Sequence, residues 1–147
     1  MADLSPDVVV SLGGDDPDLA RVLDAHIYTF NVEATGLDDG RGLTLRAEDA
    51  AGGLAAGLSG WTWGRCGYVD VLWVAPEHRG QGLGTRLMDA AEAEASARGC
   101  TRMVLSTHTF QAPDFYRRRG YVETGRTPDY PEGHGQVHLT KPLGDGG

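Results

Sequence analysis

Arg79-Gly80-Gln81-Gly82-Leu83-Gly84 is the stretch of this sequence with the clearest chemical meaning. Before it runs an apolar segment, Val69, Val71, Leu72, Trp73 and Val74, that breaks at Pro76. After it, Gly84, Leu87, Met88, Ala91 and Ala95 recur at helical spacing. A glycine-rich turn that opens a helix leaves backbone N–H groups pointing outward at the positive end of the helix dipole. That arrangement suits a phosphate or pyrophosphate. Arg79 and Arg86 add fixed charge, and side chains in place of the glycines would keep a ligand off the backbone. The Lys-Ser/Thr ending of an ATP-binding P-loop is missing, so Mg²⁺-nucleotide chemistry has no anchor. Glycines at alternate positions also differ from the Gly-x-Gly-x-x-Gly order of a dinucleotide fold. A tight turn that merely begins a helix is the bland alternative.

The elements that must carry this turn read outward from it. Residues 68–74 are a strand, and 83–98 a helix ended by Gly99. Upstream, 43–47 and 53–59 are two strands joined through Asp49-Ala50-Ala51-Gly52 as an antiparallel hairpin. Downstream come a buried strand at 102–107, a short helix at 112–119 closed by Gly120, and last strands at 121–125 and 137–140. Near the N-terminus Val8-Val9-Val10 reads as a short strand ending at Gly13-Gly14. Asp16 before Pro17 caps a helix whose stripe is Leu19, Val22, Leu23, His26, Ile27 and Phe30, running to Gly36. His26 on that stripe reads as a hydrogen-bonded core histidine sooner than a substrate-facing one. Asp38-Asp39-Gly40 is a turn, and 144–147 a frayed tail. No repeat or linker divides the chain, so 1–147 is expected to be one domain. The order is mixed α/β, not the strict alternation of a doubly wound sheet.

The turn matches the Arg/Gln-x-x-Gly-x-Gly/Ala signature of the GCN5-related N-acetyltransferases, the GNAT superfamily, which this chain resembles. A second pattern of that family, Asn-x-x-Ala-x-x-x-Tyr-x-x-x-Gly-Phe, is similar to the run from Thr109 to Tyr121. Ala112, Tyr116 and Gly120 stand in register there, with Tyr121 replacing the phenylalanine and Thr109 the asparagine. One helix and one strand separate the two motifs, as in the family, and the resemblance covers at least residues 43–143. It implies a GNAT fold: α/β, with a mixed, mostly antiparallel central sheet of about seven strands and about three to four flanking helices. A splayed cleft is implied between the fourth and fifth strands, here 68–74 and 102–107. The family usually places two helices after its first strand, so residues 17–36 must supply both or one long one.

The resemblance also implies acetyl-CoA as co-substrate. The turn formed by Arg79, Gly80, Gln81, Gly82, Leu83, Gly84 and Thr85 would grip its pyrophosphate. A backbone N–H near Leu72, Trp73 or Val74 would hold the acetyl carbonyl, and Thr109 and Ala112 would meet the pantetheine arm. Threonine is shorter than asparagine and lacks its amide N–H, so that contact can pass to Ser106, Thr107, Gln111 or the backbone. Acetyl transfer to an amine needs a neutral amine, a held carbonyl and a proton for the departing thiolate. Tyr116 is in the family position for the general acid, with a packing tyrosine as the alternative. Asp70 alternates onto the strand face of Leu72 and Val74, which directs it into the cleft as base or amine binder. Glu33, Glu77, His108 and His134 compete for the base.

The implied activity is acetyl-CoA-dependent N-acetyltransfer to a primary amine of a small molecule. One alternative is acetylation of a protein N-terminus or lysine. Another is a non-catalytic CoA-binding module in which Trp61, Trp63 and Trp73 line an interaction face, although core and cleft packing fits them better. The resemblance leaves a homodimer open.

Composition narrows the field further. At 147 residues the chain can bury a real core, and 40% hydrophobic with 23% charged residues is ordinary for a globular protein. A net charge of −8 argues against a nucleic-acid backbone as partner and is compatible with a cationic or amine-bearing substrate. Two cysteines, Cys66 and Cys100, suit a reducing compartment without a disulfide framework. Met1-Ala2-Asp3-Leu4 has no signal-peptide pattern and no apolar run reaches membrane-spanning length, so a cytoplasmic protein with no membrane partner is expected. Cys66, Cys100, His134 and His138 lack the spacing of a zinc site. There is also no Gly-x-Ser-x-Gly elbow for a serine hydrolase.

Overall fold

The computed structural model describes residues 7–144. The readings of Met1-Ala2-Asp3-Leu4 and of tail residues 145–147 lie outside them. The chain divides into two compact units, Met1–Leu37 and Asp38–Gly147.

The first unit is dominated by α1, Pro17–Thr35. Asp16 caps it by accepting a hydrogen bond from the Leu19 N–H at 3.0 Å, Pro17 opens it, and Gly36 ends it at a left-handed φ of 74°. It is one long helix, not two. The expected strand at Val8-Val9-Val10 does not form: these residues are exposed and without regular structure. A run of three offers few pairing positions, and none of the six strands takes it up. His26 is exposed and not a core histidine, because no residue of α1 is buried. A single helix has nothing inside its own unit on which to close an apolar stripe.

The second unit is built on six strands: β1 (Arg41–Glu48), β2 (Leu54–Trp63), β3 (Cys66–Val74), β4 (Arg102–His108), β5 (Val122–Pro128) and β6 (Gly135–Pro142). Their order across the sheet is β1-β2-β3-β4-β6-β5, antiparallel throughout except for the parallel pair β3–β4. Among the described residues the sheet has six strands where about seven were expected, because Val8–Val10 contributes none. A 3-10 turn, Pro76–His78, leads from β3 to α2 (Leu83–Ala97), and α3 (Pro113–Arg118) follows β4. The parallel step between β3 and β4 is the one that needs a crossover helix, and α2 supplies it. Leu87, Met88, Ala91 and Ala95 of α2 are buried. Met88, Ala91 and Ala95 join Met103, Leu105, Val137 and Leu139 of the central strands, with Tyr116 and Tyr121, in one core. The small side chains Ala91 and Ala95 let the helix lie close to the sheet. Among the described residues no helix is long and apolar enough to cross a membrane.

Candidate functional site

β3 and β4 pair over four residues, from Cys66↔Arg102 to Val69↔Leu105, and then part. Beyond that point β3 stays with β2 as far as Ala56↔Val74, and β4 stays with β6 as far as His108↔Gln136. The two halves of the sheet therefore open into a fork toward the carboxyl ends of the parallel strands, where ligands of such sheets bind. A cleft of about 810 Å³ fills the fork. One bank is residues 68–74, the other is 105–108, and Phe110, Gln111, Ala112, Phe115, Tyr116 and Gln136 close it, with Arg79 and Gly84 at the mouth.

A β-bulge at Asp70 controls which side chains of β3 face the helices. Ser59 pairs with Val71 and Gly60 with Val69, which leaves Asp70 unpaired on the β2 side. Before the bulge the odd residues Gly67 and Val69 are buried; after it the even residue Leu72 packs on the core and the Val74 methyl lies near Gly84. The simple alternation that set Asp70, Leu72 and Val74 on one face is therefore interrupted at Asp70 itself. Asp70 is exposed and lines the cleft. Opposite it the backbones come so close that a Cβ at Gly60 would run into the Tyr68 carbonyl oxygen, so position 60 must be glycine.

The glycine turn sits at the mouth of the fork. Gly82 is the N-cap of α2, with φ of 82° in the left-handed region, no side-chain capping bond and no acidic residue in the first helical turn. α1 and α3, by contrast, carry Asp18 and Asp114 in their first turns. A Cβ built at Gly80 or Gly82 would meet nothing within 4 Å, so the space outside the turn is open. The start of α2 thus keeps its partial positive charge for an external anion, the fit expected of a pyrophosphate. Arg79 donates from Nε to the Val74 carbonyl at 3.0 Å, which ties its guanidinium to the end of β3 beside the turn. Of the expected phosphate residues, Arg79 and Gly84 line the cleft, while Gly80, Gln81 and Gly82 form the turn before α2, and Leu83 and Thr85 lie in the first turn of α2 itself. Leu72, Trp73 and Val74 all line the cleft.

The second motif turns from β4 into α3. Ala112 lines the cleft, but Thr109 is not among its lining residues. The Thr109 hydroxyl accepts from the Gly135 N–H at 3.1 Å, and the Thr109 N–H donates to the Gly135 carbonyl at 2.8 Å. Thr109 therefore fastens the end of β4 to the start of β6. Ser106, Thr107 and Gln111 do line the cleft. Tyr116 is buried on α3, its ring edge-on to Phe115 at 5.1 Å and to Tyr121 at 5.7 Å. Burial pushes the Tyr116 hydroxyl up to about 12, partly offset by the Arg119 charge. Behind it Glu92 accepts from Tyr121 Oη at 2.9 Å, Lys141 Nζ at 2.7 Å and Arg119 at 3.1 Å. Burial and then the Glu92 carboxylate drive the Tyr121 hydroxyl well above its ordinary range.

Of the rival bases, His108 lines the cleft, whereas Glu77 and His134 are not among the lining residues and Glu33 belongs to the first unit. His108 Nδ1 lies 2.8 Å from the Tyr130 carbonyl oxygen, and Ser106 Oγ lies 2.7 Å from His138 Nδ1. Sequence reasoning missed both pairings. Ser106 and His138 are cross-strand partners far apart in the chain, and Tyr130 reaches His108 from the β5–β6 loop. No local spacing signals either. Trp61 stacks on Tyr68 at 4.5 Å and Trp73 faces the cleft, so both sit on or near its walls.

Comparison with known proteins agrees with this architecture. Residues 15–121 match the model of the acetyltransferase (GNAT) family. Blasticidin-S acetyltransferase of Streptomyces morookaense is 46% identical over 96 residues, 63% of this chain and 68% of that protein. Streptothricin acetyltransferase of Streptomyces lavendulae is 32% identical over 114 residues, 75% of this chain and 60% of that protein. The crystal structure of an acetyltransferase from Bacillus cereus superposes with a TM-score of 0.75 at 25% identity, covering 90% of this chain and 97% of that one.

Proposed function

This chain belongs to the acetyltransferase (GNAT) family, and from that premise we propose that it moves the acetyl group of acetyl-CoA to the primary amine of a small molecule. The observation that carries the reading is the fork between β3 and β4, with the uncapped, acid-free start of α2 at its mouth. An extended ligand with a pyrophosphate at that helix start can lay its thioester end between the strands, where the unpaired edge of β3 offers backbone N–H groups to a carbonyl oxygen. Blasticidin-S and streptothricin acetyltransferases among the relatives support a small acceptor over a protein one.

The roles follow from the cleft walls. Arg79 and the turn from Gly80 to Thr85 bind the phosphates. The backbone of Leu72, Trp73 and Val74 holds the acetyl carbonyl. Thr107, Gln111 and Ala112 meet the pantetheine arm in place of Thr109. Asp70, exposed at the apex of the fork, holds the acceptor's ammonium by charge. Tyr116, at about 12, stays protonated across any working pH. An ordinary thiol ionises near ~8.5, so the tyrosine donates a hydrogen bond that steadies the departing thiolate and holds its own proton more tightly than the sulfur does. The test is a panel of primary amines assayed for release of CoA thiol. Acceptor-dependent thiol release supports the reading. CoA binding without release for any amine leaves a binding module instead.

A further inference from the structure

We propose that His108 is the base that deprotonates the acceptor amine, with the Tyr130 carbonyl fixing which ring nitrogen does it. This rests on the acetyl-transfer reading above. His108 ends β4, on the bank of the fork facing β3, and its half-buried side chain lines the cleft. Its Nδ1 lies 2.8 Å from the Tyr130 carbonyl oxygen. A carbonyl oxygen can only accept, so Nδ1 carries the hydrogen, and the neutral ring keeps its lone pair on Nε2.

Two aromatic contacts and a backbone bond restrain the residue further. Phe110 stacks on it at 5.4 Å, the Tyr130 ring meets it edge-on at 5.1 Å, and the His108 backbone N–H donates to Gln111 Oε1 at 2.8 Å. Tyr130 is set in turn by its loop, where its N–H donates to the His134 carbonyl at 3.4 Å and the His134 N–H to the Pro131 carbonyl at 2.9 Å. A base whose tautomer and ring plane are both fixed loses little freedom when it acts.

His138, a second imidazole near the cleft, is less constrained. Ser106 Oγ and His138 Nδ1, 2.7 Å apart, can each donate or accept, so this pairing leaves the His138 tautomer open, and His138 is not among the lining residues.

The proton count closes with these groups. The acceptor arrives as R–NH3⁺ beside Asp70, and His108 Nε2 takes one proton and passes it to water. The neutral amine forms its N–C bond to the acetyl carbon as the C–S bond breaks, with Tyr116 Oη donating to the sulfur. The second N–H proton leaves through water as the amide forms, and the thiolate regains one proton from water. The net products are the acetamide, the free thiol and one released proton.

Two measurements test the assignment. Ring-nitrogen NMR of isotope-labelled wild-type protein, with no ligand added, reads the His108 tautomer: hydrogen on Nδ1 is expected, and hydrogen on Nε2 overturns the proposal. With the best amine of the panel, His108→Asn should lower kcat about 10²–10⁴-fold while KM for acetyl-CoA and the melting temperature hold. Added imidazole should restore part of the rate in His108→Ala. A working wild type whose His108→Asn keeps its kcat, or whose loss appears in Ser106→Ala instead, overturns the assignment of the base alone. A wild type that releases no thiol with any amine overturns the acetyl-transfer reading itself.

Discussion

Val69 and Leu105 are the last residues at which β3 and β4 face each other as a hydrogen-bonded parallel pair. Asp70 follows one and Ser106 the other, and both line the cleft that opens there. The separation costs little because neither strand gives up its other neighbour: β3 remains on β2 and β4 on β6 to their ends. Each half of the sheet is thus a stable ladder, and α2 and the core under it join the halves. What the fork leaves unpaired is one edge of each strand, which is what a ligand with its own amide and carbonyl groups can pair with.

The glycine turn should fail as a binding site when position 82 gains a side chain. Gly82→Asn is the informative variant, since asparagine tolerates the left-handed conformation that φ of 82° demands. A Cβ there meets nothing in the protein within 4 Å, so the fold has room for it and the ligand does not. Thermal shift with CoA should show the wild-type rise in melting temperature and none in the variant. An unchanged CoA affinity in folded Gly82→Asn would remove the phosphate site from this turn.

Arg79 has two jobs that a pair of ligands can separate. Its Nε holds the Val74 carbonyl at 3.0 Å while the rest of the guanidinium sits at the mouth of the cleft. Arg79→Ala should weaken CoA binding by about 1–3 kcal/mol, the worth of a charge-assisted contact. Pantetheine analogues without the phosphates should lose much less, as titration calorimetry would show. Equal losses for both ligands would mean that Arg79 acts only by securing the end of β3.

How far the site was legible follows from which signals are local. The strand at 68–74, the turn and the helix from Leu83 were readable because hydrophobic period and glycine spacing lie within one stretch of chain, and the structure has β3 and α2 there. The bulge at Asp70 was not, because it is defined by register against Ser59 and Gly60 on another strand. Thr109 looked like a ligand contact by motif position, yet its hydroxyl meets Gly135, a partner 26 residues away. A separation of 22 residues likewise hid Tyr130 from His108. Val8–Val10 misled in the opposite sense, since β-branched residues favour a strand only where another strand is present to pair with.

Alkaline pH should weaken the fold through its two buried tyrosines. Both hydroxyls are raised above the ordinary value of 10.0, Tyr116 to about 12 and Tyr121 further, chiefly by burial. A raised folded-state value means that the unfolded chain ionises first. The stabilisation is therefore complete below pH 10 and is lost as pH climbs through about 12. Denaturant titrations across that window should show the loss, and Tyr121→Phe should flatten it. At neutral pH Tyr121→Phe should itself cost about 1–3 kcal/mol, because Glu92 loses a buried donor. An alkaline profile identical in wild type and Tyr121→Phe would mean that Tyr121 ionises as freely folded as unfolded.

Tyr116→Phe separates chemistry from packing at the neighbouring ring. The substitution keeps the aromatic contacts with Phe115 and Tyr121 and removes only the hydroxyl. Melting temperature and acetyl-CoA affinity should then hold, while kcat falls about 10²–10³-fold, as for loss of one preorganised donor to a developing anion. Because the hydroxyl ionises at about 12, the wild-type rate should show no alkaline fall from Tyr116 within an ordinary assay range. Acyl donors with better leaving thiols should suffer less in the variant, since a thiolate that is stable by itself needs less help. A Tyr116→Phe enzyme with wild-type kcat would leave Tyr116 as a packing residue. One that loses acetyl-CoA binding and turnover together would make its hydroxyl a contact to the bound substrate, formed before the C–S bond begins to break.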